Sequence, residues 1–461
     1  MSASNEATEL REKPFRSYMP VVLSIMFTVF VAGGIAGTGG LFMPLLAQHY
    51  GVHVSDISVY MTIGGFVMAV AGPFLGRAFV KFPIKIGGAI LLLLQTVTYI
   101  GFATSLDVNG IVIAGTIQYA FGMLIVSLYV PTVVNRWFKD RAGTILGISA
   151  AMTGAGGAFW LIVAQGIIDN FGFQAAYWIF AVCCLVCIPF ILLVVGNKPS
   201  DKGMLSYVDA KSVAEASSAQ EAVEMKNWSV DPNRAIKSAS FWLLVLFIVF
   251  CQGGVKVANF FPTYVNSLAA AGAAVFVSGA LLSSLVMVGQ AVFKVVIGMS
   301  SDATTPAKTM VIAAVAGVTS ILLIWLCATT PLLPLGGLIF GLYYACPAVL
   351  MPLVAAYSFG SGPNFAVIWG RALLPSGILM APFNSIWPLM GENFGWGSVY
   401  AGVIVCICLF VVFGTLSMKT SKGLPHEIIS VGGSIESNIE DASASDAGGI
   451  GSRQAAFVKS E

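Results

Sequence analysis

Apolar residues in this chain run in long stretches, at 19–46, 57–79, 86–104, 110–134, 143–168 and 173–195, and again at 241–267, 275–299, 309–328, 335–358, 365–389 and 398–417. Each is close to or above the roughly 20 residues that a helix needs to cross the hydrocarbon core of a bilayer. The order is six stretches, a pause, and six more. It predicts an all-α membrane protein with twelve transmembrane helices in two six-helix halves, at 19–195 and 241–417. Before the first half lies a polar arm, 1–18. Between the halves lies a linker, 196–240, rich in Ser, Ala, Lys and Glu, with no apolar period long enough to span anything. The tail, 418–461, is rich in Ser, Gly, Ala and Asp and reads as disordered.

Composition agrees with the pattern. Hydrophobic residues make up 57% of the 461 and charged residues 10%, with a mean hydropathy of +0.88, against about 25% charged in an ordinary soluble domain. Three of the 23 Lys and Arg fall in the interior of apolar stretches; the other twenty, Arg77 at the end of the second stretch among them, lie in the arm, the linker, the tail or the loops on that same side. Positive charge is retained on the cytoplasmic side, so both termini are expected there. The opposite loops carry His49, His53, Asp56, Asp107, Asp169 and Glu392. The arm leads into an apolar run longer than a signal peptide and without its exit site, so no cleaved leader is expected. With a net charge of +2, nucleic acid is not an expected partner.

Enzymatic chemistry finds no support. There is no Walker loop, and the only histidines are His49, His53 and His426. The eight cysteines, among them Cys183, Cys184, Cys187, Cys251, Cys327 and Cys346, sit in apolar stretches with no histidine nearby and read as small buried hydrophobes. No metal and no cofactor is expected. Small residues at four-residue spacing, Gly33 and Gly37 in the first span and Gly143, Gly147, Ala151 and Ala155 in the fifth, predict close helix contacts. The run from Gly33 to Gly40 reads as packing first and as a flexible, cavity-side backbone second.

The three basic residues inside spans are Lys256 in the seventh, Lys294 in the eighth and Arg371 in the eleventh, and no Asp or Glu lies in the interior of any span. A charge at the bilayer centre costs about 2.5–3.5 kcal/mol on insertion scales, so such residues face cavities and serve function. Two cations roughly 10 Å apart repel by ~1.7 kcal/mol at an effective dielectric of 20. A cavity holding several of them therefore favours an anion, and the missing counter-charge points to the substrate. Lys294 stands about 12 Å of helix rise from Asp302, a distance that also allows it to snorkel. Gln118, Tyr119, Tyr129, Gln252, Asn259, Gln290, Tyr343, Tyr344, Trp369 and Asn384 are the polar and aromatic residues available to complete a site. Tyr119, Gln290, Asn259 and Trp369 are selected as its walls.

Two motifs carry a resemblance. After the eighth span the chain reads Gly298-Met299-Ser300-Ser301-Asp302, with Lys308 following, and after the second it reads Gly72-Pro73-Phe74-Leu75-Gly76-Arg77. These loops resemble the repeated Gly-x-x-x-Asp-basic signature of the major facilitator superfamily. The first departs from it, with Val80 in place of the usual Asp and Pro83 in place of Gly. The segment from Asn135 to Gly143, Asn-Arg-Trp-Phe-Lys-Asp-Arg-Ala-Gly, resembles the fourth-to-fifth-span loop of the oxalate:formate antiporter and monocarboxylate transporter group. The resemblance covers roughly residues 18–420. It implies the major facilitator fold and a gating role for Arg77 and Asp302. It also implies that Lys294, eight positions before Asp302, stands where those antiporters carry a substrate-binding arginine, and that Arg371 lies in the region of their eleventh-span basic residue. Lysine keeps the charge and loses the bidentate fork.

The expected function is secondary transport of a small organic anion, a mono- or dicarboxylate, by alternating access, as antiport or facilitated transport. A carrier for a larger amphipathic or aromatic acid, a proton-coupled monocarboxylate symporter, and a transport-inactive sensor or scaffold are the alternatives. The expected partners are the lipid bilayer and a counter-anion or proton, with the protein a monomer. The compact far-side loops suggest a multi-pass protein of a bacterial inner membrane.

Overall fold

The computed structural model describes residues 14–81, 83–138, 142–207, 228–303, 305–360, 362, 364–425, 427–429 and 435–436. Side chains are described for all of these except 73, 76–81, 142–143, 298–303, 427–429 and 435–436. Among the described residues, twelve helices are long and apolar enough to cross a membrane: Phe15–Tyr50, Val54–Gly72, Ile84–Thr104, Val108–Trp137, Thr144–Phe171 and Phe173–Val194, then Ala239–Ala270, Gly279–Ile297, Pro306–Leu326, Leu333–Phe359, Phe365–Phe394 and Trp396–Gly423. Six crossings in each half bring Phe15, Val194, Ala239 and Gly423 to one end of the bundle, called here the linker end. Each half builds a large buried core; Ala280 and Met287 of the eighth span join that of the first half, and Val54 and Tyr344 are packed against both.

The first span is not one regular helix. It passes from an α-helix, Met19–Thr28, through a π-helical stretch, Val29–Gly33, to a turn at Gly37 and Thr38, and resumes as Gly39–Tyr50. In hydrocarbon a backbone carbonyl released by such a break must find a donor within the protein. Trp160 Nε1 of the fifth span donates to Phe30 O at 3.2 Å, and Gln95 Nε2 of the third donates to Ala32 O at 3.1 Å. Glycine is needed here for approach: a Cβ on Gly34 would lie 2.8 Å from the Gly156 Cα. The seventh span, at the corresponding place in the second half, breaks in the same way, with a 3-10 stretch Lys256–Phe260 between Ala239–Val255 and Phe261–Ala270.

The halves meet along three helix pairs, the first with the seventh, the second with the eleventh, and the fifth with the eighth. On the fifth span the expected small-residue face is displaced. Gly147 is exposed with nothing within 4 Å of an added Cβ, and the Gly143 side-chain position lies outside the described residues. Gly154 and Gly157 instead pack on Met287 and Ala291 of the eighth. A four-residue spacing identifies a helix face; which face meets the other half is decided by the rotation of the whole helix.

At the end opposite the linker, Glu392 of the eleventh span closes the halves. It accepts the Ser55 backbone N–H at 2.9 Å and the Ser55 hydroxyl at 2.5 Å, in the first turn of the second span. A carboxylate at a helix N-terminus is favoured by the unpaired N–H groups and dipole there. Farther in, a Cβ on Gly40 would meet the Asn259 backbone, and Thr62 and Ser385 hydroxyls lie 2.7 Å apart.

The linker is packed against the bundle at both its ends. Tyr207 N donates to Trp137 O at 2.8 Å and Tyr18 OH to Leu205 O at 2.6 Å, with the rings of Phe15, Tyr18, Phe138 and Tyr207 gathered around them. On the second half, Val230 N donates to Phe359 O at 3.1 Å and Gly362 N to Trp228 O at 3.1 Å. The tail is also partly ordered: Glu427–Ile429 pairs antiparallel with Trp228–Ser229 and with Ile435–Glu436. Isoleucines in an otherwise Ser- and Gly-rich segment supply the strand propensity that bulk composition conceals. The start of the expected tail is ordered too, continuing the last helix to Thr420 and a 3-10 turn Ser421–Gly423; 426, 430–434 and 437–461 lie outside the described residues.

Gly34→Val is expected to lower stability by about 1–3 kcal/mol through overpacking, whereas Gly147→Ala should be neutral or slightly stabilising; thermal unfolding in detergent checks both. Glu392→Gln should shift the population toward opening at the end opposite the linker by roughly fivefold or more, read from spin-label distances across that end.

Candidate functional site

Lys256 is the first residue of the 3-10 stretch in the seventh span and is half-buried. Its ammonium donates to the Tyr119 hydroxyl of the fourth span, and the same nitrogen lies 5.0 Å from the centroid of the Tyr119 ring. The pair joins the two halves. Tyr119 OH in turn donates to Asn384 Oδ1 of the eleventh span at 3.3 Å, and Asn384 Nδ2 donates to Ala381 O at 3.0 Å and to Met61 O of the second span at 3.4 Å. Asn259 approaches the same place, with its amide nitrogen 3.8 Å from Met61 Sδ. Four spans therefore converge on one ammonium.

The local sequence explains how Tyr119 is held. Its Cβ would sit 2.9 Å from a Cβ on Gly64, so the bare glycine of the second span makes room for the fourth. One turn away the arrangement is reciprocal, with the Tyr60 ring lying over Gly115. Among the described residues, no Asp or Glu pairs with Lys256, Lys294 or Arg371; their hydrogen-bond partners are neutral. An ammonium with only neutral partners in low dielectric keeps most of its field for a mobile anion.

Lys294 occupies a different part of the interface. It donates to Ala150 O at 3.0 Å and to Thr153 Oγ1 at 3.1 Å, so its charge rests on the fifth span of the opposite half. Gln290, one turn before it, is buried with its amide on Met287 Sδ at 3.3 Å, packed where Gly341 of the tenth span comes close. Arg371 is exposed and donates to Asn233 Oδ1 of the linker at 3.0 Å. Trp369 stacks on Phe365, centroids 6.3 Å apart. Of the seven selected residues, Lys256, Tyr119 and Asn259 are brought together. Arg371 and Trp369 are placed with the linker and with Phe365, and Gln290 against the tenth span. Arg77 and Asp302 belong to helix ends whose side chains lie outside the described residues.

The sequence reading left Asn384 among the unselected polar residues and omitted Thr62 and Ser385. Short hydroxyl and amide side chains are common on helix–helix contacts throughout a membrane protein, and only the pairing of the second and eleventh spans distinguishes these. Tyr343 and Tyr129 are structural. Tyr343 OH donates to Cys251 O at 3.2 Å, and Tyr129 is packed against Gly88.

A family model of the Major Facilitator Superfamily matches residues 23–368. Two curated fungal relatives are an MFS-type transporter of Gibberella moniliformis, 24% identical over 186 residues, which cover 37% of this chain and 43% of the relative, and the MFS-type transporter pynF of Aspergillus niger, 24% identical over 192 residues, which cover 40% and 43%. The matched part thus spans less than half the length of these relatives. Among solved structures, the peptide transporter POT in complex with sulfate superposes with a TM-score of 0.66 at 13% identity, covering 92% of this chain and 100% of that one. The nucleoside transporter NupG gives 0.64 at 16%, covering 87% and 99%. A bacterial homolog of the human lysosomal transporter Spinster, inward-facing and occupied, gives 0.62 at 12%, covering 89% and 98%. At these identities the likeness is one of fold.

Removing the Tyr119 hydroxyl while keeping the ring, in Tyr119→Phe, should destabilise the protein by about 1.5–3 kcal/mol, the range for a hydrogen bond to a charged group. A double-mutant cycle with Lys256→Met, followed by thermal unfolding, should return a coupling energy of about 0.5–3 kcal/mol between the two residues.

Proposed function

Because the chain belongs to the major facilitator superfamily, we propose that it is a secondary carrier that moves a small organic anion, a mono- or dicarboxylate, by alternating access of its two six-helix halves. The observation that carries this reading is the Lys256 ammonium, set in the break of the seventh span, bonded to a neutral hydroxyl of the opposite half. A substrate carboxylate would replace or share the Tyr119 hydroxyl on that ammonium, with Asn384 and Asn259 offering amides beside it. Lys294 holds the fifth and eighth spans together through neutral acceptors and is the second candidate for the anion. The absence of carboxylates from span interiors favours exchange of one anion for another, or facilitated transport, over a protonated side chain as the coupling device.

The concentration of Lys and Arg at the linker end argues that this end is cytoplasmic, which makes the closure by Glu392 and Ser55 a closure toward the outside. The relatives above are fungal, so the membrane is proposed as a cell membrane without restriction to bacteria.

Uptake and exchange of radiolabelled carboxylates in proteoliposomes tests the reading. Lys256→Gln should lower carboxylate flux by roughly tenfold to a hundredfold, the worth of one charge-assisted hydrogen bond, and Lys294→Gln should also lower it. Arg371→Gln, remote from the cluster, should keep most of it. Movement of neutral solutes at wild-type rates by Lys256→Gln would overturn the anion assignment. Stimulation of uptake by internal anion would establish exchange.

A further inference from the structure

Within the first half, a pocket of about 20 Å³ lies between the break of the first span and the second, third, fourth and sixth spans, lined among others by Thr38, Gly39, Tyr60, Tyr99, Gln118 and Tyr177. A single water-sized group needs roughly 10–15 Å³ on this measure, so the pocket has room for one such group. The three tyrosines around it are 3%, 3% and 4% exposed, in the order Tyr60, Tyr99 and Tyr177. Neither the Tyr60 nor the Tyr177 hydroxyl has a hydrogen-bond partner among the described residues. The Tyr99 oxygen accepts the Gln95 and Gln118 amides, each at 3.4 Å, and its own proton has no described acceptor. Buried hydroxyls are normally paired, and leaving one unpaired is unfavourable. Two unpaired hydroxyls and a Tyr99 proton without an acceptor, around one water-sized space, call for a neutral occupant that accepts hydrogen bonds, which a hydroxyl is and a charged carboxylate or a methyl is not.

The pocket adjoins the anion site. Tyr60 lies over Gly115 and Tyr119 over Gly64, four residues farther along both helices, so Tyr60 of the pocket stands about 6 Å of helix rise from Tyr119, toward the end opposite the linker. Gln118 lines the pocket and Tyr119 follows it; Gly39 lines it, and the next residue, Gly40, abuts Asn259 of the other half.

We propose that this pocket is a second subsite of the transport site, and that it receives a hydroxyl which the substrate anion carries several bonds from its carboxylate. The proposal rests on the carboxylate reading of Lys256. A 2-hydroxy acid carries its hydroxyl on the carbon next to the carboxylate and falls short of the pocket. A four-carbon acid with a terminal hydroxyl spans a distance comparable with one helical turn.

The test is competition for uptake in proteoliposomes by butyrate, 2-hydroxybutyrate and 4-hydroxybutyrate, in the wild type, Tyr60→Phe, Tyr177→Phe and Lys256→Gln. Phenylalanine keeps each ring in its packing, and ratios within one variant cancel differences in yield. The wild type should prefer 4-hydroxybutyrate over both others by about tenfold, and the preference should fall below about threefold in the Phe variants. Equal affinities in the wild type, a preference retained in both Phe variants, or no binding of any of the three overturns the subsite. If the three acids are equal while Lys256→Gln abolishes uptake, the subsite fails and the anion site stands. If Lys256→Gln keeps wild-type uptake while the Phe variants still erase the preference, the hydroxyl pocket stands and the role of Lys256 in binding the carboxylate fails.

Discussion

Hydrocarbon offers no water to satisfy a polar group, so every break in a spanning helix and every charge inside it must be answered by another side chain of the protein. The rest of this structure follows from that constraint. The first span is broken next to the interface between halves, and the carbonyls of Phe30 and Ala32 are met by an indole from the fifth span and an amide from the third. The seventh span is broken at the matching place, and the residue that opens the break is Lys256, whose ammonium is met by a hydroxyl from the fourth span. Irregular backbone and buried charge thus occur together, where neighbouring helices are close enough to supply partners.

Of the polar contacts inside the bundle, those made by the buried charges also hold the halves to each other. Lys256 with Tyr119, Tyr119 with Asn384, Lys294 with Ala150 and Thr153, and Ser55 with Glu392 all cross from one half to the other. Each half has its own large buried cluster, but apolar contact crosses as well: Ala280 and Met287 of the eighth span belong to the first half's cluster, and Val54 and Tyr344 pack against both. Polar contacts differ from these apolar ones in that their partners are replaceable by substrate or water. The docked ends of the linker fit the same scheme, one fixed to the first half at Trp137 and the other to the second half at Phe359.

Fold and topology were legible because they depend on what lipid demands of every segment. Twelve apolar stretches and the pause between the sixth and seventh survive any local irregularity, and the structure has the expected twelve spans. Lys256 was legible as well, since a cation in a span interior is conspicuous on its own. Arg371 was equally conspicuous, yet it turns to Asn233 of the linker. Its height in the helix was readable; the docking of a segment more than a hundred residues away was not.

What the sequence by itself determined is the solvent of this protein, its twelve crossings, its two halves and the presence of uncompensated cations within them, because each is a property of composition along a single segment. What only the tertiary structure decided is which of those cations shares a site with Tyr119, Asn259 and Asn384, which glycines admit a neighbouring backbone, and which tyrosine hydroxyls are left facing a common space. Those depend on the rotation of each helix about its axis and on the pairing of helices from opposite halves. Both are fixed by packing among all twelve spans, and no residue spacing within one span encodes them.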